Sequence, residues 1–335
     1  MPRVMICGNL VWAHKECEQM FHGLADVVVM DSPSRAHFLE NLKPGGKYAG
    51  IVGTYRHNVS ADHIGIFDKE IVDALAAAGL KWIAHNGAGY DQIDVAACKE
   101  KGIIVSNTPG AVDDATATTA LYLMISALRQ YSKAERDARA GLWKSQLESG
   151  NAHDLTGRTL AILGLGGIGM RLAELAHAFP MRIVYHNRGK VEDTPEWCEY
   201  FPAEKLDEML AQTDVLSVHV PLRKDTEGLV GESMIRKLKK GAVIVNTARG
   251  KVIDEEAMIR ALEDGHVRIL ALRTLSSDLT SIFALISCSS EQSVSMCTPT
   301  SPKSTLGSLT SRMRLFSHIW ARRHVTRRRR WRSVP

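Results

Sequence analysis

The sequence lacks several features that would place it in other classes of protein. No apolar run approaches the roughly 20 residues that a membrane-spanning helix needs, so we expect no membrane partner. The amino-terminal segment has no apolar core of the kind found in signal peptides. The six cysteines show no Cys-x-x-Cys spacing. These absences predict a cytoplasmic protein with reduced thiols and no metal site.

Acidic residues are missing from the carboxyl-terminal part of the chain. After Glu291 there is no Asp or Glu, and Lys303 with nine arginines gives this part a charge of about +10. Because the whole chain carries +5, the part up to Glu291 carries about −5. An Arg-rich segment can bind nucleic acid. We do not expect that partner here, because a shift of the reading frame accounts for the arginines.

Two series of alternating strands and helices predict an α/β fold with two doubly wound parallel-sheet domains. The first series has predicted strands at Val4–Cys7, Val27–Met30, Ala49–Gly53, Trp82–His85 and Ile103–Ser106. The second has predicted strands at Thr159–Leu163, Arg182–His186, Val215–Val220 and Ala242–Asn246. A long helix from about Asp113 to Tyr131 is predicted to connect the two series.

The segment from Thr159 to Gly169 combines an apolar strand, a glycine-rich turn and the start of a helix. Its Gly-x-Gly-x-x-Gly pattern lies where the strand becomes the helix, an arrangement that holds a dinucleotide pyrophosphate. Gly164 permits the tight turn, Gly166 leaves room for the phosphates, and Gly169 lets the helix pack closely. The free N–H groups of that helix point at the anion. The predicted cofactor-binding residues of this turn are Gly164, Leu165, Gly166, Gly167, Ile168 and Gly169.

The end of the next predicted strand indicates which dinucleotide binds. In NAD-binding units an acidic residue about 20 residues beyond the glycines binds the ribose hydroxyls. Asn187 occupies that place here, and Arg188 comes next. A neutral side chain does not repel a 2′-phosphate, and a guanidinium adds a hydrogen bond of about 1.5–3 kcal/mol. The pair predicts NADP, with NAD as the alternative cofactor; for Arg188 the alternative is a solvated surface side chain.

Arg249 lies just after the predicted strand Ala242–Asn246. This places it at the carboxyl edge of the sheet, where ligands bind in doubly wound folds. A guanidinium at that edge suits a carboxylate or a ketone oxygen. The alternative is a structural ion pair.

Five motifs occur in order along the chain. They are Asn86-Gly-Ala-Gly89-Tyr-Asp91-x-Ile-Asp94, Asn107-Thr-Pro-Gly110, Gly164–Gly169, His219-Val-Pro221-Leu and Asn246-Thr-Ala-Arg249-Gly250. Together they resemble the D-isomer-specific 2-hydroxyacid dehydrogenases, particularly the glyoxylate/hydroxypyruvate reductase branch. The resemblance covers roughly residues 1–267. It implies a flavodoxin-like substrate domain with an inserted Rossmann domain, and a homodimer.

The resemblance also implies roles for individual residues. Arg249 would polarise the keto oxygen of a small 2-keto acid and hold its carboxylate. The backbone N–H groups of the substrate loop, which comprises Asn86, Gly87, Ala88 and Gly89, would bind the same carboxylate. The implied cofactor contacts beyond the glycine turn are His219, Val220, Pro221, Thr226, Thr247, Ala248 and Arg249.

The family pattern stops near Arg268, where Ser, Thr and Arg begin to dominate the sequence. The family uses a Glu and a His downstream of the Arg to supply a proton. Neither Leu-Asp-Val-x-x-x-Glu-Pro nor Pro-His-x-Gly occurs here, and His318 and His324 lack the family context. When the sequence from Val294 onward is back-translated and read in a frame shifted by one base, codon degeneracy permits both elements in order. The roughly 25 residues from Arg268 to Gln292 match the family in neither frame. We therefore interpret the tail as translated intron followed by an out-of-frame exon, which is a hypothesis about the gene model.

These observations divide the chain into three parts. Residues 1–110 form the amino-terminal part of the substrate domain, 111–268 the NAD(P)-binding Rossmann domain with its linking helix, and 269–335 an aberrant basic tail that is not expected to fold natively. The predicted activity is that of an NADP-preferring D-2-hydroxyacid dehydrogenase or glyoxylate reductase, impaired because the Glu and His are missing. The alternative is a non-catalytic NAD(P)-binding regulatory protein, similar to a corepressor.

Overall fold

Two β-sheets organise the chain. The computed structural model describes residues 1–8, 10, 13–142, 152–272 and 286–287. The first sheet contains β1 (Arg3–Cys7), β2 (Asp26–Val29), β3 (Ile51–Arg56), β4 (Trp82–His85) and β5 (Ile104–Ser106). The second contains β6 (Thr159–Leu163), β7 (Arg182–His186), β8 (Cys198–Tyr200), β9 (Val215–Val218), β10 (Ala242–Asn246), β11 (Val267–Leu272) and β12 (Ile286–Ser287).

Helices connect most successive strands. Those of the first sheet are α1 (His14–Phe21), α2 (Arg35–Leu42), α3 (Ala61–Ile64), α4 (Lys69–Ala77) and α5 (Val95–Glu100). The connection between the sheets contains α6 (Asp113–Leu128) and α7 (Tyr131–Arg139). Those of the second sheet are α8 (Gly167–His177), α9 (Leu206–Ala211), α10 (Glu232–Lys237) and α11 (Glu255–Glu263).

The strand orders identify both folds. The first sheet has the order β2-β1-β3-β4-β5 with all neighbours parallel, which is the flavodoxin-like order. In the second sheet, β8-β7-β6-β9-β10-β11 is the Rossmann order, and β12 pairs antiparallel with β11. This arrangement confirms the predicted fold class of two doubly wound parallel sheets. In the second sheet the strand order reverses between β6 and β9, which is where ligands bind in such sheets.

The second sheet has an apolar layer on each face. One layer includes residues of α6 and α8, such as Leu123 and Leu172, and the other includes residues of α9 to α11, such as Leu210 and Met258. Every residue of β6, β9 and β10 is buried, as expected for parallel strands that are covered on both faces. Because these central strands are packed on both faces, the loops at their carboxyl ends start from fixed positions.

The first sheet differs because one of its faces is exposed. Its other face packs on α2, α4 and α5 through a core that includes Phe38, Ile71 and Ile83. The exposed face carries apolar side chains at positions that pair across neighbouring strands. Its large exposed members are Val27 (40%), Val29 (57%), Trp82 (52%) and Ile104 (60%). We refer to these four residues as the open face.

The structure corrects the predicted connecting helix. The helix predicted from about Asp113 to Tyr131 is present as α6, but its predicted end is wrong, because α6 ends at Leu128 and a second helix, α7, begins at Tyr131. Between them Gln130 adopts a left-handed conformation with φ of 55°, which ends the first helix and redirects the chain. The apolar composition of α6 gives way to a charged α7 with no buried residue, so the two helices lie in different environments.

Some elements were predicted only in general or not at all. The helices α1 and α2 lie between predicted strands, where helices were expected without stated bounds, and the three-residue strand β8 was not predicted. The strand β11 continues to Leu272, a few residues beyond the change in composition near Arg268. Of the predicted basic tail, residues 269–272 and 286–287 are described, as the end of β11 and as β12; the predictions for His318, His324 and the remainder lie outside the described residues. The division of the chain at residues 110 and 268 stays a prediction.

Candidate active site

The glycine turn joins β6 to α8 at the point where the strand order of the second sheet reverses. Gly164 has φ of +100°, and a Cβ atom there would lie 3.0 Å from the backbone nitrogen of Val220. A Cβ on Gly169 would lie 2.5 Å from the carbonyl oxygen of Gly164, so glycine permits the close packing of α8. A Cβ on Gly166 would meet no atom within 4 Å. The turn is therefore tight on its protein side and open at Gly166.

This geometry fits a dinucleotide. The helix α8 has Gly166 as its N-cap and no side-chain capping bond, so its first N–H groups remain available for an anion. At the same edge of the sheet, the buried hydroxyl of Thr247 has no hydrogen-bond partner within the described residues. An open space, uncapped N–H groups and an unpaired buried hydroxyl are what a bound phosphate and its attached nucleotide would use.

Asn187 and Arg188 have different environments. The Oδ1 atom of Asn187 accepts a hydrogen bond of 2.6 Å from the N–H of Leu165, so this side chain supports the glycine turn. Arg188 is exposed and makes no hydrogen bond or ion pair with any other residue that the structure describes. Its guanidinium can meet either solvent or a ligand phosphate, so both interpretations of Arg188 remain open.

The segment after β9 carries two of the predicted cofactor contacts. Val220 packs directly against Gly164. His219 lies beside it, and its Nε2 atom is 2.8 Å from the hydroxyl of Ser217. Burial lowers the pKa of His219 to about 4, so its imidazole is neutral at pH 7. Val220 and His219 therefore place uncharged side chains beside the glycine turn.

Thr226 uses its hydroxyl within its own loop. The hydroxyl accepts a hydrogen bond of 2.7 Å from the N–H of Arg223 and donates one of 2.6 Å to the carbonyl of Pro221. Thr226 is buried, whereas Pro221 is exposed. Of these two predicted cofactor contacts, Pro221 is therefore the accessible one, and Thr226 shapes the loop that presents it.

Arg249 lies just beyond the carboxyl end of β10 and contacts the loop that comes after β4 of the first sheet. Its Nε and Nη2 atoms donate to Oδ1 of Asp91 at 2.9 and 2.6 Å, and Nη1 donates to the carbonyl of Ala248 at 3.0 Å. The guanidinium lies so close to Gly89 that a Cβ atom there would collide with Nη2. The structure thus brings Arg249 together with the predicted substrate loop.

The structural ion pair that was the alternative interpretation of Arg249 is present. It does not use all the N–H donors of the guanidinium, so some remain for a ligand. A guanidinium has five N–H donors, of which the bonds to Asp91 and Ala248 use three. Burial would raise the pKa of Asp91, but the hydrogen bonds and charge of Arg249 lower it below its ordinary value. Asp91 is therefore ionised at neutral pH and fixes the plane of the guanidinium.

The substrate loop offers two of its four predicted backbone donors. The N–H of Asn86 donates to the carbonyl of Arg56 at 2.8 Å, and that of Gly87 to the carbonyl of His85 at 3.0 Å. The N–H groups of Ala88 and Gly89 have no partner within the described part of the chain. Two consecutive free N–H groups beside a guanidinium suit a carboxylate. The prediction that all four bind it is thereby narrowed to Ala88 and Gly89.

Two residues of the site were missed by the sequence analysis. Asp91 was part of a motif but was not recognised as the partner of Arg249. Asn246 is buried, and its side chain donates to the carbonyl of Arg249 at 2.8 Å and accepts from the N–H of Ala248 at 2.9 Å. An Asn at the end of a fully apolar strand was the available signal, because a buried amide needs partners.

The described ranges contain no other group with an obvious role in the chemistry. Within them no His, Cys, Asp or Glu cluster is placed to hold a metal ion, and no helix is long and apolar enough to cross a membrane. Burial raises the pKa of Cys7 to about 12 and that of Cys98 to about 11, so both are protonated thiols at neutral pH. They are poor nucleophiles in that state.

The Rossmann strand order and the glycine turn define an α/β protein with a dinucleotide-binding domain. The sequence model of the D-isomer specific 2-hydroxyacid dehydrogenase NAD binding domain matches residues 121–281. The 4-methyl-2-oxopentanoate reductase A of Aspergillus oryzae is 43% identical over 267 residues, which are 80% of this chain and 79% of that protein. The chain belongs to the D-isomer specific 2-hydroxyacid dehydrogenase family, as the resemblance predicted.

Solved structures agree with this assignment. The crystal structure of a glyoxylate reductase from Paecilomyes thermophila is 44% identical, covers 80% of each chain and superposes with a TM-score of 0.74. The holo form of D-mandelate dehydrogenase from Rhodotorula graminis is 30% identical, covers 82% of this chain and 81% of its own, and also has a TM-score of 0.74.

Proposed function

We propose that this protein binds NADPH and a small 2-keto acid of the glyoxylate or hydroxypyruvate type, in a site built to reduce the keto acid to the D-2-hydroxy acid. The observation that carries the proposal is the position of Arg249 against Gly89, beside the free N–H groups of Ala88 and Gly89. The names of the relatives point to the same class of substrate. If the chain bound no keto acid, it would be a nucleotide-binding protein that catalyses no reaction.

Each group has a definite task in such a reaction. The N–H groups of Ala88 and Gly89 hold the substrate carboxylate. The two donors that Arg249 retains can reach the carboxylate and the keto oxygen, where negative charge develops as the carbonyl is reduced. Asp91 and Ala248 keep the guanidinium in place before substrate arrives. The glycine turn and the first N–H groups of α8 would hold NADPH, which would supply the hydride for the keto carbon.

The reaction also needs a proton for the new alkoxide, and the described residues near Arg249 do not supply it. Asp91 is ionised at neutral pH because Arg249 lowers its pKa. His85 is buried and neutral, and its Nε2 atom is engaged with the carbonyl of Gly89 at 2.9 Å. Since the family's Glu and His motifs are absent from the sequence, we expect turnover to be strongly impaired.

NADPH is the proposed cofactor because Asn187 presents no charge and Arg188 is exposed, with no bond to another described residue. The homodimer implied by the resemblance stays a prediction, as does the cytoplasmic location. The exposed Tyr122 on α6 is consistent with a contact surface on that helix.

Binding and turnover test the proposal separately. We expect the purified chain to bind NADPH, and then oxamate, a non-reducible analogue of a 2-keto acid. Arg249→Gln should weaken oxamate about tenfold or more and leave NADPH unchanged, because the guanidinium contacts the substrate loop. Turnover of glyoxylate should be near zero. Calorimetry and NADPH fluorescence measure the binding steps; failure to bind oxamate in the presence of NADPH would overturn the function.

A non-catalytic NAD(P)-binding regulatory protein is the second candidate. The observation in its favour is an intact glycine turn in a chain without the motifs for the proton donor. Restoring the reading frame after Val294 distinguishes the two candidates. An enzyme with the restored sequence should oxidise NADPH with glyoxylate, whereas a regulatory protein should bind the cofactor and remain inactive.

A further inference from the structure

Three successive carbonyl groups of the substrate loop are bound by protein donors. The carbonyl of Gly87 accepts from the N–H of Thr108 at 3.1 Å, and that of Ala88 accepts from Nδ2 of Asn107 at 2.8 Å. The carbonyl of Gly89 lies 2.9 Å from Nε2 of His85. The peptide groups of the loop are therefore held in place through their oxygen atoms.

Holding a carbonyl also directs the next N–H group. In a planar trans peptide, the C=O of one residue and the N–H of the next residue point in opposite directions. The bond from Thr108 to Gly87 thus sets the direction of the Ala88 N–H, and the bond from Asn107 to Ala88 sets that of the Gly89 N–H. These are the two free donors of the loop.

His85 holds the third peptide group, and its surroundings select the required tautomer. Its side chain is buried, and Nδ1 faces Nη1 of Arg56 at 3.5 Å. A carbonyl oxygen only accepts, so the 2.9 Å contact with Gly89 assigns the proton to Nε2, and the unprotonated Nδ1 then faces the arginine donor. Nε2 therefore donates to the carbonyl of Gly89. Arg56 is itself fully buried and is held by Gln92 through a bond of 2.6 Å from Nη2.

We propose that Asn107 and His85 are positioning residues that fix the two peptide groups on either side of the Gly89 Cα atom. Asn107 holds the carbonyl of Ala88 and so directs the free N–H of Gly89, and His85 holds the carbonyl of Gly89, so that this N–H and that of Ala88 form a fixed site for the substrate carboxylate. This inference rests on the proposed function and adds to it a role for the Asn107-Thr-Pro-Gly110 motif, which the cofactor and substrate assignments left unused. Neither side chain needs to touch the substrate. Both act through the orientation of peptide groups.

The test compares ligand binding by variants that remove or keep the donors. Asn107→Ala removes the donor to Ala88, His85→Leu removes the donor to Gly89, and His85→Gln keeps an N–H donor in its place. Oxamate is titrated in the presence of saturating NADPH, and NADPH alone is titrated separately. We expect Asn107→Ala and His85→Leu each to weaken oxamate about tenfold, with NADPH changed by less than about twofold. His85→Gln should recover most of the affinity for oxamate.

A matched control separates positioning from a general loss of stability. Thr54→Val removes a buried hydrogen bond of 3.1 Å to the carbonyl of Met5 in the same sheet, and it should lower the melting temperature without changing oxamate binding. If wild type binds both ligands and the two donor-removing variants bind oxamate as tightly as wild type, the inference is overturned while the function stands. If wild type binds NADPH but no oxamate, both are overturned.

Discussion

Arg249 links the second sheet to the loop of the first sheet through a single carboxylate. Asp91 lies 158 positions away in the sequence, and both side chains are mostly buried, with 28% and 22% of their surfaces exposed. An ion pair that is screened from water is stronger than an exposed one, and losing one partner leaves the other charge without compensation. The pair therefore holds the guanidinium ready for substrate and also contributes to the stability of the folded chain.

Replacing Arg249 with Gln should make the stability less dependent on acid pH. The pKa of Asp91 is lowered from 3.8 in the fold, so its ionised form stabilises the protein at neutral pH. That contribution is lost as the pH falls from about 3.8 through the lower pKa of the folded state. We expect Arg249→Gln to cost roughly 1–2 kcal/mol at pH 7 and less at pH 3, measured by urea unfolding. An equal loss at both pH values would contradict this role, and Arg249→Lys should lose less.

Replacing Asn187 with Asp should shift the cofactor preference towards NADH. An Asp keeps an oxygen acceptor for the N–H of Leu165, so the glycine turn should be retained, and the added charge repels a 2′-phosphate. We expect the ratio of the NADH and NADPH dissociation constants to change by about tenfold or more. Arg188→Gln is the companion variant and should weaken NADPH alone. An unchanged ratio in Asn187→Asp would argue against this site for the phosphate.

Among the elements, α8 matters most because its first turn forms the cofactor site. The helix approaches β6 closely only because Gly169 has no side chain. The neighbouring α6 packs on α8 within the same apolar layer, through residues such as Ala117 and Met124. The position of the first N–H groups of α8 is thus fixed by helix packing as well as by the turn. A shift of this helix would move those donors away from the phosphates.

Adding one methyl group at Gly169 should test that dependence. The Cβ of Gly169→Ala would lie 2.5 Å from the carbonyl oxygen of Gly164, a backbone atom that cannot move aside easily. We expect a stability loss of about 1–3 kcal/mol and a clear weakening of NADPH binding. Gly189→Ala is the matched control, because its Cβ would meet no atom within 4 Å. Thermal melts and NADPH titrations should separate the two variants; equal behaviour would refute the packing argument.

At the scale of the whole molecule, the open face of the first sheet sets it apart from the second. Parallel sheets normally have both faces covered. Here Trp82 and Ile104 lie opposite each other on neighbouring strands and are more than half exposed. A contiguous exposed apolar surface of this kind favours association with another protein surface, or is covered by a further segment of the same chain. The basic sequence after Glu291 shows little of the apolar periodicity of a helix that could cover this surface.

Restoring the reading frame after Val294 should therefore change stability and activity together. We expect the restored chain to melt at a higher temperature, to bind less of a hydrophobic dye, and to oxidise NADPH when glyoxylate is added. The physical reason is that the restored sequence regains the Glu-Pro and Pro-His-x-Gly elements and the carboxyl-terminal part that, by the family resemblance, completes the substrate domain. Rapid turnover by the chain as it stands would show that another group donates the proton. Sequencing the spliced transcript provides an independent check.

The sequence by itself determined the type of most elements and the place of the cofactor turn. Apolar runs and the glycine pattern are local, so Thr159–Leu163 and Ala242–Asn246 were predicted with their observed bounds, and Arg249 was placed at a strand end. The break at Gln130 was missed because a left-handed residue leaves little trace in an apolar pattern. The sequence motifs also identified the family before any strand order was known.

Only the tertiary structure decided which groups meet. The pairing of Arg249 with Asp91 and the bond from Asn107 to Ala88 join loops that follow different strands, and the contact of His85 with Gly89 depends on how the loop after β4 folds back. Thr226, predicted to face the cofactor, turns its hydroxyl into its own loop. The physical reason is that a sequence period specifies which face of an element is apolar, whereas partners depend on the order and packing of strands that are distant in the chain.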